Sequence, residues 1–270
     1  ADAPAEPTPT PAVPAALAAF GRRLLGAGQK ALYEVLYGAR VTGRAFVPHD
    51  RNVLVVANHA SHLDMGLVKV ALAEEGERLA ALAARDYFFD TPLKRAYFEN
   101  FTNLIPMERH GSLGKSLRAG LTALGRGYHL LIFPEGTRSR DGAMGPFYPA
   151  AGHLALHAKV DVLPVWLGGT HEALPVGSAV PRRATLEVRI GEPIRIADLE
   201  ALTAGLSRRE ASRRATALME EAVRRLGGED ASPRADQRPR SPSLSPDVPA
   251  ASRPLTPALS PGGGEGEGKP

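Results

Sequence analysis

The chain has 270 residues, 43% of them hydrophobic, and a formal net charge of +4 with an isoelectric point near 9.5. This length and apolar content suffice for a full hydrophobic core, which excludes a wholly disordered protein. The absence of cysteine excludes a disulfide scaffold and a cysteine nucleophile. No stretch of about 18 uncharged apolar residues occurs, so we expect peripheral membrane contact, at the cytoplasmic face, without a transmembrane span.

The two ends of the chain have the composition of disordered segments. Residues 1–14 contain five prolines and have the composition of a linker or a trimmed end, and residues 229–270 are rich in Pro, Ser and Gly. Such segments bury too little apolar surface to offset the entropy lost on ordering. We therefore expect one folded domain over residues 39–228, with disordered tails.

Residues 15–38 have an amphipathic pattern. Apolar side chains recur at roughly helical spacing, with basic residues between them, at Leu17, Phe20, Leu24, Leu32, Val35 and Leu36. This pattern suits a helix that lies in a membrane interface, and equally a helix that packs on the domain. The basic excess favours an anionic lipid surface. No aromatic stacking motif accompanies it, so nucleic acid is not an expected partner.

Apolar runs then alternate with helical patterns along the chain. Strands are predicted at 53–57, 79–84, 103–107, 129–133, 162–167 and 185–190, and helices at 64–75, 91–98, 112–125 and 150–159. A last helix is marked by the capping-box spacing of Ser207 and Glu210 and by the glycines at 227 and 228. This alternation predicts a single α/β domain with a mixed, largely parallel central sheet flanked by helices.

The residues after the strand at 53–57 place a histidine and a carboxylate in one turn. His59 and Asp64 are separated by four residues. In a regular helix, five steps of 100° leave the two side chains about 140° apart, so His59 must precede the helix that Asp64 begins. The turn can then fold the imidazole onto the carboxylate, which orients a general base. A solvated or capping histidine is the ordinary alternative.

A second polar cluster follows the strand at 129–133. Gly136 lets the backbone approach a ligand closely, Thr137 supplies a hydroxyl donor, and the guanidinium of Arg138 matches phosphate oxygens. We expect an anion cradle here. Glu135 is expected to orient Arg138 or ligand hydroxyl groups rather than to act as a second base.

Four short blocks of the sequence resemble the signature blocks of the glycerolipid acyltransferases, the group typified by lysophosphatidic acid acyltransferase. The blocks are His59 with Asp64, then residues 104–109, residues 133–139 and residues 162–166. Each block alone is short enough to arise by chance, but four in this order make a specific signal. The resemblance covers roughly residues 40 to 195.

This resemblance implies a fold similar to that of glycerol-3-phosphate acyltransferase and the transfer of a fatty acyl group to a lysophospholipid. The donor would be acyl-CoA or acyl carrier protein, and the acceptor hydroxyl would be that of 1-acylglycerol-3-phosphate, giving phosphatidic acid. His59 would be the base and Asp64 its partner. Acceptor binding is assigned to Arg109, Glu135, Gly136, Thr137 and Arg138. The thioester is a co-substrate, so no cofactor and no metal are expected.

Two other functions are open at this point. A non-catalytic lipid-binding module would keep the anion cradle and lack turnover. An ester hydrolase would need a metal site or a serine elbow, and neither pattern occurs in the sequence. His59, His62 and Asp64 do not have a recognised metal-ligand spacing, and His153 and His157 lack the glutamate of a zinc-protease helix.

Overall fold

The computed structural model describes residues 21, 24, 26–84, 104–107, 113–178 and 180–228. All of them lie within one unit of the chain, Ala1–Pro233. The helix predicted at 91–98 and the two predicted tails, at 1–14 and 229–270, lie outside the described residues.

Seven strands form one sheet in the described part of the chain. They are β1 Arg40–Thr42, β2 Leu54–Ala57, β3 Leu79–Ala84, β4 Leu104–Met107, β5 His129–Ile132, β6 Val162–Gly168 and β7 Glu187–Ile190. Their order is β1-β7-β6-β2-β5-β3-β4, and every neighbouring pair is parallel except β6 and β7. The predicted α/β fold with a mixed, largely parallel sheet is confirmed.

Six α-helices have both ends among the described residues, and residues 26–31 are also α-helical. The six helices are α1 Asp64–Ala71, α2 Leu113–Gly125, α3 Ala150–Ala158, α4 Thr170–Ala173, α5 Ile196–Thr203 and α6 Arg208–Gly227. Short 3₁₀ helices cover Arg44–Phe46 and Ala73–Arg78, and a π-helical turn covers Leu32–Leu36. None of the described helices combines the length and the apolar character needed to cross a bilayer.

Strand β2 lies in the middle of the sheet and is buried on both faces. Val55 and Ala57 pack into a core with Leu67 of α1, whereas Leu54 and Val56 pack into a second core with α3 and α6. Helices therefore cover both faces of the sheet, which explains why the strand sequence is a continuous apolar run rather than an alternating one.

The register of the sheet brings the two polar clusters to one edge. β2 and β5 are parallel neighbours, with Val56 opposite Ile132. His59 and Glu135 each lie three residues beyond that pair in the chain. Because the carboxyl ends of parallel strands share one edge of a sheet, these two side chains emerge side by side.

Several short elements are absent from the sequence prediction. β1, α4 and α5 contain three to eight residues, too few to give a strong periodic signal. The helix predicted at 64–75 ends at Ala71 instead, since Ala73 has a φ of 53° and the chain continues as the 3₁₀ helix Ala73–Arg78. Left-handed backbone at a non-glycine residue interrupts an α-helix.

The described part of the predicted amphipathic segment, 15–38, meets the domain on one side and solvent on the other. Tyr33 is buried in the hydrophobic core to which α1 contributes Leu67. Leu24, Leu32 and Val35 are 65%, 40% and 82% exposed. The segment thus packs on the domain and also presents apolar side chains outward.

Helix α6 begins and ends as the sequence predicts. The backbone N–H of Glu210 donates to Ser207 Oγ, and the backbone N–H of Ser207 donates to the carboxylate of Glu210, which completes a capping box. Gly228, with a φ of 80°, ends the helix in the left-handed conformation.

The cap of α6 gives a direct stability test. Ser207→Ala should lower the free energy of unfolding by about 1 kcal/mol, because a helix N–H loses its side-chain acceptor. Ser207→Thr, which keeps a hydroxyl at the same position, should retain most of that stability. Urea denaturation of the three proteins measures the difference, and equal losses in both variants would contradict the capping role.

Candidate active site

His59 and Asp64 form a hydrogen-bonded pair at the carboxyl edge of the sheet. His59 lies in the turn between β2 and α1, and Asp64 is the first residue of α1. The distance from His59 Nδ1 to Asp64 Oδ2 is 2.8 Å. Asp64 is fully buried, whereas the side chain of His59 is 21% exposed. A carboxylate on Nδ1 leaves Nε2 as the nitrogen that can accept a proton.

One oxygen of Asp64 organises the whole turn. Besides the imidazole, Asp64 Oδ2 accepts the backbone N–H groups of Ala60 and Ser61, at 2.7 and 2.8 Å. The other oxygen, Oδ1, is buried and has no hydrogen-bond partner among the described residues. The turn is therefore folded around a buried negative charge that can stabilise an imidazolium ion.

The imidazole ring of His59 also packs against an aromatic ring. The ring of Phe133, the first residue after β5, stacks on the ring of His59 with centroids 4.0 Å apart and planes 12° apart. Together with the bond to Asp64, this contact restricts both the position and the tilt of the ring. The sequence analysis gave Phe133 no role at the site, because stacking depends on which two strands are neighbours.

The second polar cluster wraps around the backbone of His59. The His59 N–H donates to Glu135 Oε1 at 2.7 Å, and the His59 carbonyl accepts the N–H of Ser139 at 2.7 Å. Glu135 Oε2 accepts the N–H of Gly145 at 2.8 Å. Glu135 thus joins three loop segments, a contribution additional to the acceptor-binding role that the sequence predicts for it.

Burial raises the pKa of Glu135 to about 7, and the negative charge of Asp64 adds to that rise. The N–H groups of Gly145 and His59 act in the opposite direction, because they stabilise the carboxylate. A carboxyl group of this kind changes protonation near neutral pH, next to the base.

The residues predicted to form an anion cradle follow Glu135 directly. Gly136 has a φ of 71°, a conformation that glycine adopts without strain, and its N–H closes a turn onto the carbonyl of Phe133. Gly136 and Thr137 are exposed, and Arg138 is partly exposed. Arg109, predicted to be a second cation for the same phosphate, lies outside the described residues.

Asn58 contributes a contact that the sequence analysis missed. Its side-chain amide donates to the carbonyl of Leu167 and accepts the N–H of Leu167, at 2.9 and 2.8 Å. The amide continues the pairing of β2 with β6 beyond the end of β2. An asparagine after a buried strand was the available signal, but its partner is 109 residues away.

A cavity of about 230 Å³ adjoins the turn that contains His59. Asn58 and Ala60, which flank His59 in the chain, contribute to its wall, as do Trp166 and His171. His171 Nδ1 is buried without a hydrogen-bond partner among the described residues. The cavity wall therefore includes both chain neighbours of His59 and a histidine with an unsatisfied ring nitrogen.

The remaining polar residues of interest lie away from these contacts or stabilise the turn. His153 and His157 stack on each other along α3, with centroids 5.6 Å apart. Ser61 donates its hydroxyl to the carbonyl of Leu174 and accepts the N–H of Leu63. In the described part of the chain, no three acidic or histidine side chains are grouped so that they could hold a metal ion.

The chain is similar to known acyltransferases in sequence. The family model described as Acyltransferase matches residues 38–168. A mouse protein named 1-acyl-sn-glycerol-3-phosphate acyltransferase alpha is 31% identical over 134 residues, which are 48% of this chain and 46% of that protein. A chloroplastic 1-acyl-sn-glycerol-3-phosphate acyltransferase, BAT2, from Brassica napus is 28% identical over 148 residues, 54% of this chain and 41% of that protein. The chain spans about half the length of these curated relatives.

The fold is similar to that of a solved acyltransferase. The crystal structure of PlsC, the 1-acyl-sn-glycerophosphate acyltransferase of Thermotoga maritima, matches with a TM-score of 0.61 and 25% sequence identity. The match covers 78% of this chain and 82% of the Thermotoga chain. The family match contains both His59 and the loop around Glu135. In its sequence blocks, its fold and these matches, the chain is similar to the glycerolipid acyltransferases.

Proposed function

We propose that this protein transfers a fatty acyl group from an acyl thioester to the free hydroxyl of a lysophospholipid, 1-acylglycerol-3-phosphate, to give phosphatidic acid. The observation that carries the proposal is the 2.8 Å contact between His59 Nδ1 and the buried Asp64, beside the loop of the second polar cluster. The relatives with the corresponding names support the choice of acceptor.

In this mechanism His59 is the general base. Its Nε2 takes the proton of the acceptor hydroxyl as the oxygen attacks the thioester carbonyl carbon. The carbon–sulfur bond then breaks, and the imidazolium returns the proton to the departing thiolate. Asp64 holds the ring and stabilises the imidazolium, so no acyl-enzyme is needed.

Gly136, Thr137 and Arg138 are proposed to bind the phosphate of the acceptor, with Arg109 as a second cation. Gly136 permits close approach of the backbone, and the guanidinium of Arg138 provides paired donors for phosphate oxygens. The cavity next to His59 supplies space for a polar part of the bound substrates. The thioester donor is proposed to be acyl-CoA or acyl carrier protein.

His59→Ala tests the base directly. The variant should lose about 10² to 10⁴ in kcat, because a positioned general base contributes a factor of that size. His157→Ala, which removes an exposed imidazole from α3, is the matched control and should keep its activity. Turnover is measured with labelled acyl-CoA and lysophosphatidate, and acceptor binding is measured in parallel. Full activity of the His59 variant would rule out the mechanism.

The raised pKa of Glu135 predicts how stability changes with pH. The folded protein holds the Glu135 proton more tightly than the unfolded chain between pH 4.5, its ordinary value, and about 7. This group's contribution to the free energy of unfolding therefore falls as the pH rises through that window.

Glu135→Gln should remove that contribution, because glutamine does not titrate. Urea denaturation of both proteins at about pH 5 and about pH 8 measures the difference, and groups common to both proteins cancel. The parent protein should lose more stability than the variant between the two pH values. Identical changes would show that Glu135 titrates normally.

The protein is also proposed to work at a membrane surface, on the cytoplasmic face. Leu32 and Val35 belong to a segment whose Tyr33 is anchored in the core, and Tyr33 Oη donates to the carbonyl of Leu63 in the catalytic turn at 2.9 Å. The exposed apolar side chains thus lie on an element fixed next to the base. Such a surface suits insertion at the boundary between head groups and acyl chains.

Leu32→Ser with Val35→Ser should weaken binding to phospholipid vesicles by about tenfold, because two apolar side chains no longer leave water. Leu206→Ser is the control, since Leu206 is 44% exposed in the turn before α6. Vesicle co-sedimentation measures the bound fraction. The same loss in the control variant would indicate general apolar adsorption instead of a specific face.

A further inference from the structure

The loop between α4 and β7 begins beside the catalytic turn. The hydroxyl of Ser61, two residues after His59, donates to the carbonyl of Leu174 at 2.8 Å. The N–H of Arg182 donates to the carbonyl of Ala173 at 2.7 Å. Both ends of the segment 174–182 are therefore fixed at the carboxyl edge of β6, the edge from which His59 also emerges.

The outer part of this loop combines an exposed apolar side chain with two cations. Val180 is 72% exposed, and Arg182 and Arg183 are exposed. Ser178 Oγ donates to the carbonyl of Val180 and accepts its N–H, at 3.1 and 3.3 Å, so both backbone polar groups of the valine have a partner. Neither arginine forms an ion pair within the part of the chain that the structure describes.

A second pair of exposed arginines lies at the start of α6. Arg208 and Arg209 begin α6, whose final residue, Gly227, packs against Trp166 near the carboxyl end of β6. A helix of 20 residues is about 30 Å long, so this second pair lies about 30 Å from the end of α6 that packs against Trp166. The fold thus contains two similar arginine pairs, only one of them in the loop that is hydrogen-bonded to the turn of His59.

We propose that Val180, Arg182 and Arg183 form a membrane-contact surface that turns the carboxyl edge of the sheet toward anionic lipid. Val180 enters the apolar boundary, and Arg182 and Arg183 bind lipid phosphates. Apolar side chains next to cations are what a lipid interface stabilises. An acidic carrier protein would match the arginines alone and would leave Val180 exposed to water. The inference rests on the proposed function, because a lipid acceptor must reach His59 from the bilayer.

The test compares two double variants with equal loss of charge. Arg182→Gln with Arg183→Gln should reduce binding to vesicles of phosphatidylcholine with phosphatidylglycerol by about 10- to 30-fold at low salt. Arg208→Gln with Arg209→Gln should leave binding unchanged. Val180→Ser should weaken binding by about 3- to 10-fold. High salt should abolish the difference between the parent protein and the first double variant, because it screens charge.

Several results would overturn the proposal. Equal losses of vesicle binding in the two arginine variants would mean that binding depends only on net charge. Unchanged vesicle binding in both variants would mean that Arg182 and Arg183 do not contact the membrane. Unchanged vesicle binding with a raised KM for acyl-CoA or acyl carrier protein would assign the arginines to the donor. Activity toward lysophosphatidate dispersed in detergent, measured on the same variants, tests the chemistry separately. If that activity is absent from the parent protein as well, the proposed function fails while the vesicle comparison still stands.

Discussion

The geometry of the site depends on one buried oxygen atom, Asp64 Oδ2. It accepts hydrogen bonds from the imidazole of His59 and from two consecutive backbone N–H groups, all within 2.7 to 2.8 Å. A buried carboxylate needs such donors, because an uncompensated charge in the interior is strongly unfavourable. The same bonds that stabilise the charge fix the path of the turn and the orientation of the ring. Stability of the turn and readiness of the base therefore have a common origin.

A second constraint comes from the neighbouring strand. β5 runs parallel to β2, and the loop after it contacts His59 through the ring of Phe133, the carboxylate of Glu135 and the N–H of Ser139. These contacts act on the ring and on both polar groups of the His59 backbone. Displacement of this loop would consequently move His59 as well. The proposed base and the proposed phosphate-binding residues 136–138 are thus coupled through these contacts.

Two further elements are hydrogen-bonded to the turn of His59. One carries Tyr33, and the other is the loop that begins at Leu174. Each presents an exposed apolar residue, Val35 on the first and Val180 on the second. Both hydrogen bonds go to residues within four positions of His59. The proposed membrane contact at either element would therefore act on the turn that contains His59.

Much of the fold and part of the site could be predicted from sequence. The strands around β2, β5 and β6 are long apolar runs, and α6 is marked at both ends, so local signals were strong. Short elements such as β1 and α5 carry no periodicity, and the helix predicted at 64–75 ends early because Ala73 takes a left-handed conformation. The residue types of the site, an imidazole with a carboxylate and a Gly-Thr-Arg cluster, are also legible in the sequence.

The sequence by itself determined which chemical groups are present, their order along the chain and the acyltransferases that they resemble. Tertiary structure decided which of them meet. The side chain of Asn58 is hydrogen-bonded to Leu167, 109 residues away. The carboxylate of Glu135 accepts the backbone N–H of His59. The pKa of Glu135 is raised because folding removes this carboxyl group from water. The order of the strands and the burial of side chains determine these contacts and this pKa. Neither can be predicted from the local pattern of residues, because a hydrogen bond between residues far apart in the chain produces no periodicity in the sequence.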